Sequence, residues 1–197
     1  MAARICVFLA LSVVRATAVT DVPLLTWDGA DATAHAVRTV DDPVMGGGSV
    51  SAFRVDAARA LGLWEGEVKV VSFLRSPGFC TMRTMGTGTF PDASGTSALE
   101  LRLRASSGLR NFTMQVGVAG VTTDQTVFSA HFQLEPGAGR ERSVRVPWSA
   151  FQLTTRGQPR PGPPLSEHLG KINRVGLGTS GTAGRFAVEL EALVAAA

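Results

Sequence analysis

Leu99-Glu100-Leu101-Arg102-Leu103-Arg104 is the stretch that decides the fold. Three leucines fall on one side of an extended chain and three charged residues on the other. That is the period-two pattern of a strand with one face in a core and one in water. The alternation recurs on both sides. Phe112, Met114, Val116 and Val118 form a second set, and Phe128, Ala130, Phe132 and Leu134 a third, with Ser129, His131 and Gln133 outward. Val144 and Val146 flank an outward Arg145, residues 172–177 (INRVGL) read as a further strand, and Phe186, Val188 and Leu190 alternate with Glu189 and Glu191. Upstream, residues 22–27 are an apolar run ended by an Asp28-Gly29 turn signal, residues 34–40 alternate weakly, and a strand resumes at Val50 with Phe53 and Val55 on the face opposite Ala52. Residues 61–74 read as a hairpin or two strands broken at Gly62 and Gly66, and residues 78–85 as another short strand. Turn chemistry fills the gaps: residues 86–95 (GTGTFPDASG) are rich in Gly and Thr with Pro, Asp and Ser, and the Pro-rich connection 156–164 leads into one helical turn at 165–169. About nine or ten short strands without an amphipathic helix predict an all-β fold, an antiparallel β-sandwich or barrel.

Composition agrees. A chain of 197 residues that is 45% hydrophobic and 18% charged can bury a core in one domain, and 22 Gly with 10 Pro suit many tight turns. Residues 1–4 are a short basic segment, residues 5–14 (ICVFLALSVV) are apolar, and Ala16-Thr17-Ala18 offers a small-residue cleavage site. This has the form of a secretory signal peptide over residues 1–18, leaving residues 19–197 as a single β-sandwich domain. The apolar run falls short of the roughly 20 residues that cross a bilayer, so no transmembrane segment is expected in the mature chain. Losing Arg4 and Arg15 brings the formal charge of +3 closer to neutral, which excludes nucleic-acid binding through a basic footprint. Cys6 leaves as well, and Cys80, within Pro77-Gly78-Phe79-Cys80-Thr81-Met82, reads as a buried small hydrophobe without a disulfide partner.

Side chains that could carry chemistry are scattered. His35, His131 and His168 have no metal-ligand spacing. Gly47-Gly48-Ser49 lacks the second glycine and the following helix of a nucleophile elbow, and Gly86-Thr87-Gly88 is half of a dinucleotide fingerprint. Glu65 and Glu67 share one strand face, as a catalytic pair or as ordinary outer-face charge. Asp41, Asp42 and Asp92 would gather only if their loops meet, and no ligand pattern specifies a Ca²⁺ site. The expectation is no catalytic set, no metal and no cofactor. Asn111-Phe112-Thr113 is a glycosylation sequon, usable in the secretory route if Asn111 is exposed.

The most distinctive local stretch is residues 40–51, where Asp42-Pro43-Val44-Met45-Gly46-Gly47 is followed by Ser49. The Asp-Pro step biases Asp42 to an extended backbone, and the glycines admit positive φ or close approach. These residues resemble the signature of the complex I intermediate-associated protein 30 family. Further blocks follow in the family's order: Ser76-Pro77-Gly78-Phe79, Ser97-Ala98-Leu99-Glu100-Leu101, Val146-Pro147-Trp148-Ser149-Ala150-Phe151, Arg156-Gly157, Ile172-Asn173-Arg174-Val175-Gly176-Leu177, and Gly184-Arg185-Phe186-Ala187-Val188-Glu189-Leu190. The resemblance implies a galactose-binding-like jelly roll and a non-enzymatic assembly or chaperone-like factor for large membrane complexes, mitochondrial complex I among them. It also implies that Asp42, Pro43, Val44, Met45, Gly46, Gly47 and Ser49 form a loop that contacts protein clients. The leader departs from a mitochondrial presequence and predicts the secretory pathway, whether secreted, in the ER or in a plastid-type lumen; the mitochondrion is the family-based alternative. The competing function is a secreted carbohydrate-binding module. A sugar platform needs exposed aromatics, and the chain has no Tyr and only Trp27, Trp64 and Trp148.

Overall fold

Apolar alternation builds two antiparallel sheets whose inner faces meet. The structure, a computed structural model, describes residues 20–85, 90–137 and 142–197. The leader with Ala16 and Ala18, the Gly86-Thr87-Gly88 segment, and the side chains of Val44 and Met45 lie outside the described residues. In chain order the strands are β1 (Val22–Thr26), β2 (Val37–Asp41), β3 (Val50–Asp56), β4 (Leu61–Val68), β5 (Val70–Val71), β6 (Ser76–Pro77), β7 (Phe79–Thr84), β8 (Ala98–Gly108), β9 (Asn111–Val118), β10 (Thr126–Gln133), β11 (Arg142–Pro147), β12 (Gln152–Thr155), β13 (Gln158–Pro159), β14 (Ile172–Ser180) and β15 (Gly184–Ala196). One sheet of six runs β11-β8-β15-β4-β3, with β1 also paired to β15; the other, of seven, runs β13-β12-β10-β9-β14-β7-β2. A two-stranded ribbon, β5-β6, projects beside them.

The expected sandwich is present. Leu99, Leu101 and Leu103 on β8 and Phe186, Val188 and Leu190 on β15 are buried from one sheet; Phe112, Met114, Val116 and Val118 on β9 and Phe128, Ala130 and Phe132 on β10 are buried from the other. Trp64 of β4, wholly buried, lies edge-on to Phe186 at 4.6 Å between ring centroids and to Phe112 across the interface at 6.1 Å. Edge-to-face pairs of this kind set the relative position of the sheets as well as filling volume.

The strand segments outnumber the nine or ten expected. β5, β6 and β13 have two residues each, and β12 (QLTT) carries a single large apolar residue, too few for its period to show in the sequence. Gly62 and Gly66 do not break β4; both lie inside it. A Cβ at Gly62 would sit 2.6 Å from the Trp27 ring and 2.9 Å from Phe53, and one at Gly66 would sit 2.5 Å from the Val50 carbonyl. These glycines mark close approach within the sheet. The helical turn at 165–169 resolves into two 3-10 turns, Leu165–Glu167 and Leu169–Lys171. Among the described residues no helix is long and apolar enough to cross a membrane.

Because the indole of Trp27 occupies the space a side chain at Gly62 would need, Gly62→Val should destabilise the fold by about 1–3 kcal/mol. A urea titration showing an unchanged midpoint would contradict this packing.

Candidate functional site

The signature stretch folds around its own aspartates. Residues Asp42–Met45 form one 3-10 turn with Pro43 in its first positions, and Gly46, at φ 80°, ends it in the left-handed region. The Gly46 N–H donates to the Pro43 carbonyl (3.0 Å) and the Gly47 N–H to the Asp42 carbonyl (3.1 Å). The returning chain is then gripped by a carboxylate. Ser49 donates its N–H to Asp42 Oδ1 and its hydroxyl to Asp42 Oδ2, both at 2.7 Å. Two residues further out the pattern repeats: Ser51 donates its N–H to Asp41 Oδ2 (2.6 Å) and its hydroxyl to Asp41 Oδ1 (2.7 Å). Ser49 Oγ also accepts the Lys69 N–H at 2.9 Å, which ties the loop to the start of the β5-β6 ribbon. Charge-assisted bonds of this length are the strong kind, and the buried Asp42 carboxylate finds its partners inside the protein.

Two glycines make room for it. A Cβ at Gly47 or at Gly78 would fall within the volume of the Asp42 carboxyl group. Gly78 belongs to the Ser76-Pro77-Gly78-Phe79 block, so two separate sequence blocks meet at one carboxylate. Sequence reading missed this contact. The visible signal was the mirrored order Asp41-Asp42 followed by Ser49 and Ser51, which pairs inner with inner and outer with outer.

The expected loop residues therefore divide by placement. Asp42 and Ser49 are buried, Gly47 is half-buried, and Pro43, Gly46 and Gly48 are exposed. Beside this exposed rim lies an apolar surface. Phe73 is 69% exposed, and Val50, Val70 and Leu74 are each more than half exposed. Phe73 borders the loop closely enough that a Cβ at Gly46 would meet its ring at 3.7 Å. Lys69 and the exposed Arg75 flank the patch.

Beneath the loop, Cys80 is fully buried and its thiol points to the Glu67 carbonyl at 3.8 Å. Burial, and then the neighbouring Asp41 charge, push its pKa up to about 12. It is the inert small hydrophobe that its apolar flanks suggested.

The remaining candidates stay apart. His35 stacks on Phe90 at 4.1 Å, with burial lowering its pKa; His131 stands outward on β10 within 3.1 Å of Thr113 Oγ1; His168 lies between two 3-10 turns. Asp92 holds the Ser94 N–H (2.8 Å) next to Gly170, away from Asp41 and Asp42. Glu65 and Glu67 line a shallow depression on the outer face of β4 with Arg185, and Glu67 pairs with Lys69 at 3.9 Å. Among the described residues no group of three or more His, Cys, Asp or Glu could hold a metal ion. Asn111 opens β9 and is exposed; Trp27, Trp64 and Trp148 are all buried.

Two packed antiparallel sheets with this strand order define a galactose-binding-like jelly roll, and solved structures of that class superpose on the chain. The Family 11 Carbohydrate-Binding Module from Clostridium thermocellum, in complex with a beta-1,3-1,4-mixed-linked tetrasaccharide, aligns with a TM-score of 0.55 at 12% identity, over 91% of this chain and 97% of that one. The Family 11 module of the cellulosomal cellulase Lic26A-Cel5E of the same organism aligns with a TM-score of 0.52 at 13% identity, over 89% and 96%. The agarase AgWH50C aligns with a TM-score of 0.51 at 11% identity, over 90% of this chain and 25% of its own. At these identities the likeness is one of fold. No curated protein sequence matches the chain significantly. The model of the Complex I intermediate-associated protein 30 (CIA30) family matches residues 27–190, and the chain belongs to that family.

Removing the Asp42 carboxylate leaves a buried N–H and a buried hydroxyl of Ser49 unpaired. Asp42→Ala should therefore cost about 3 kcal/mol and loosen the lid over Cys80. Cys80 should resist iodoacetamide in the folded wild type and react in the variant under the same native buffer. Equal labelling rates would show that the clamp does not hold the loop down.

Proposed function

We propose that this protein is a non-enzymatic protein-binding factor of the CIA30 type, an assembly or chaperone-like module. It meets its client with the exposed rim of the signature loop and the apolar patch beside it. The observation that carries the reading is the exposed Phe73 ring beside Gly46, with the exposed Val70 and Leu74 on the same β5-β6 ribbon. Contiguous apolar surface on a soluble fold marks an interaction site more often than a catalytic one. An aromatic at its centre, with Lys69 and Arg75 at its edge, resembles an interface core with a polar rim. The buried Asp42–Ser49 pair holds the rim in shape, so the signature residues serve recognition by presenting the backbone.

The compartment follows two lines of support. The leader-like residues 1–18 favour the secretory route, and the exposed Asn111 would then be open to glycosylation. The family name favours complex I and hence the mitochondrion. A Phe73→Asp, Leu74→Asp double variant alters only exposed side chains and should fold with an unchanged unfolding midpoint. Captured from solubilised mitochondrial and secretory membranes in parallel, the wild type should retain a client in one fraction and the variant should lose it by roughly tenfold or more. A variant that keeps every client would remove the patch from the interface.

Carbohydrate binding is the second reading. It draws on the jelly roll and on the polar outer face of the seven-stranded sheet, where Thr113, Gln115, Ser129 and His131 stand on adjacent strands. The buried tryptophans weigh against it, since stacking on sugar rings needs an exposed aromatic face. A glycan array that includes mixed-linked β-glucan should stay at background. Binding that Gln115→Ala abolishes would favour the sugar reading instead.

A further inference from the structure

The outer face of the seven-stranded sheet carries a charge arrangement that neither reading uses. Arg38 on β2 and Arg83 on β7 are directly opposite in register, and Arg174 on β14 projects from the next strand. All three guanidinium groups converge on one carboxylate. Asp124 Oδ1 lies 2.9 Å from Arg174 Nη1, 3.4 Å from Arg83 Nη2 and 3.8 Å from Arg38 Nη2. The Asp124 side chain is 72% exposed, on the loop between β9 and β10, whereas those of Arg83 and Arg174 are each 12% exposed.

The two inner arginines are held by the sheet. Arg83 lies over Gly176, where a Cβ would come within 2.9 Å of its own, and Arg174 lies over Gly117 at 2.8 Å by the same measure. Their stems fill the places of missing side chains. Arg174 and Arg38 line a depression of about 370 Å³ together with Thr122, Thr123, Asp124 and Asn173, and the Arg83 head meets it at the Asp124 carboxylate. Arg83 Nη1 and Arg174 Nη2 donate to the carbonyls of Asp124 and Thr123, at 3.2 and 2.5 Å. The buried Arg83 Nε has no hydrogen-bond partner among the described residues. Burial, then the nearby Arg174 and Arg38, draw the Arg83 pKa down, with Asp124 opposing.

Pinning a loop takes one guanidinium. Like charges directly opposite on neighbouring strands destabilise a sheet, and desolvating two of them costs more. Three cations on one anion leave an excess of two positive charges in a concave, hydroxyl-lined site. The geometry points to a binding site for a phosphate dianion, with Arg38, Arg83 and Arg174 as its ligands and the Asp124 carboxylate as a tethered stand-in that the incoming oxyanion displaces. Forked guanidinium groups match phosphate oxygens two at a time, and Thr123 and Asn173 supply neutral donors beside them. The ligand is either free phosphate or a phosphate monoester, and the two differ in what lies beyond the anion.

Calorimetric titration of the full chain at constant ionic strength distinguishes these cases, with inorganic phosphate in one arm and phenyl phosphate in the other. Saturable binding is expected in at least one arm, with the tighter arm naming the source. Arg38→Gln, whose side chain is half in solvent and whose loss leaves the fold intact, should weaken binding about tenfold. Arg83→Gln should abolish it. Asp124→Asn removes the competitor and should tighten binding several-fold. The proposal is overturned if wild type and Asp124→Asn both fail to bind in either arm, or if Asp124→Asn binds more weakly than wild type, since the carboxylate would then be part of a structural knot.

Discussion

The contact of Trp64 with Phe186 and Phe112 is the constraint from which the rest of the molecule takes its position. The indole belongs to one sheet and reaches the other, so it fixes how far apart the layers lie and how they are rotated. Phe112 also meets Phe132 at 6.0 Å, which carries the same packing to the neighbouring strand. Every outward feature hangs from this interface. The signature loop joins β2 of one sheet to β3 of the other, and the arginine cluster lies on the outer face of the seven-stranded sheet, whose inner face carries Phe112.

Most of the sandwich was legible as alternation because each long strand has one face in the core and one in water. β8, β9, β10 and the first half of β15 declare themselves in that way. What stayed hidden has physical causes. Short strands such as β13 are too brief to show a period. Gly62 and Gly66 carry no side chain, so sequence alone does not separate a break from a close approach; only the indole of Trp27 and the backbone of Val50 make that distinction. The arginine cluster left no sequence signal, since residues 38, 83, 124 and 174 meet only after strands from distant parts of the chain have paired. The signature stretch was visible, but its internal bonding was not, because Gly78 lies far along the chain.

That bonding changes how the signature works. Asp41 and Asp42 grip Ser51 and Ser49 in two nested copies of one arrangement, which is a way to force the chain into a tight reversal where it passes between sheets. A carboxylate that accepts both a backbone N–H and a hydroxyl from one serine fixes direction as well as distance. The glycines then follow from the size of the carboxyl group. Family membership is thus written partly in residues that face inward and hold the loop in shape.

The place of β15 has a consequence for how the protein is made. It pairs with β8 along one edge and with β4 and β1 along the other, yet it is the last strand in the sequence. During synthesis β4 and β8 leave the ribosome without the strand that joins them, and β1 waits through almost the whole chain for its neighbour. Loop closure over such separations is slow, and unpaired strand edges are sticky in the interval. The nascent six-stranded sheet is a set of halves with an empty centre. A holding partner during translation would protect this protein more than any later stabilisation of the finished fold.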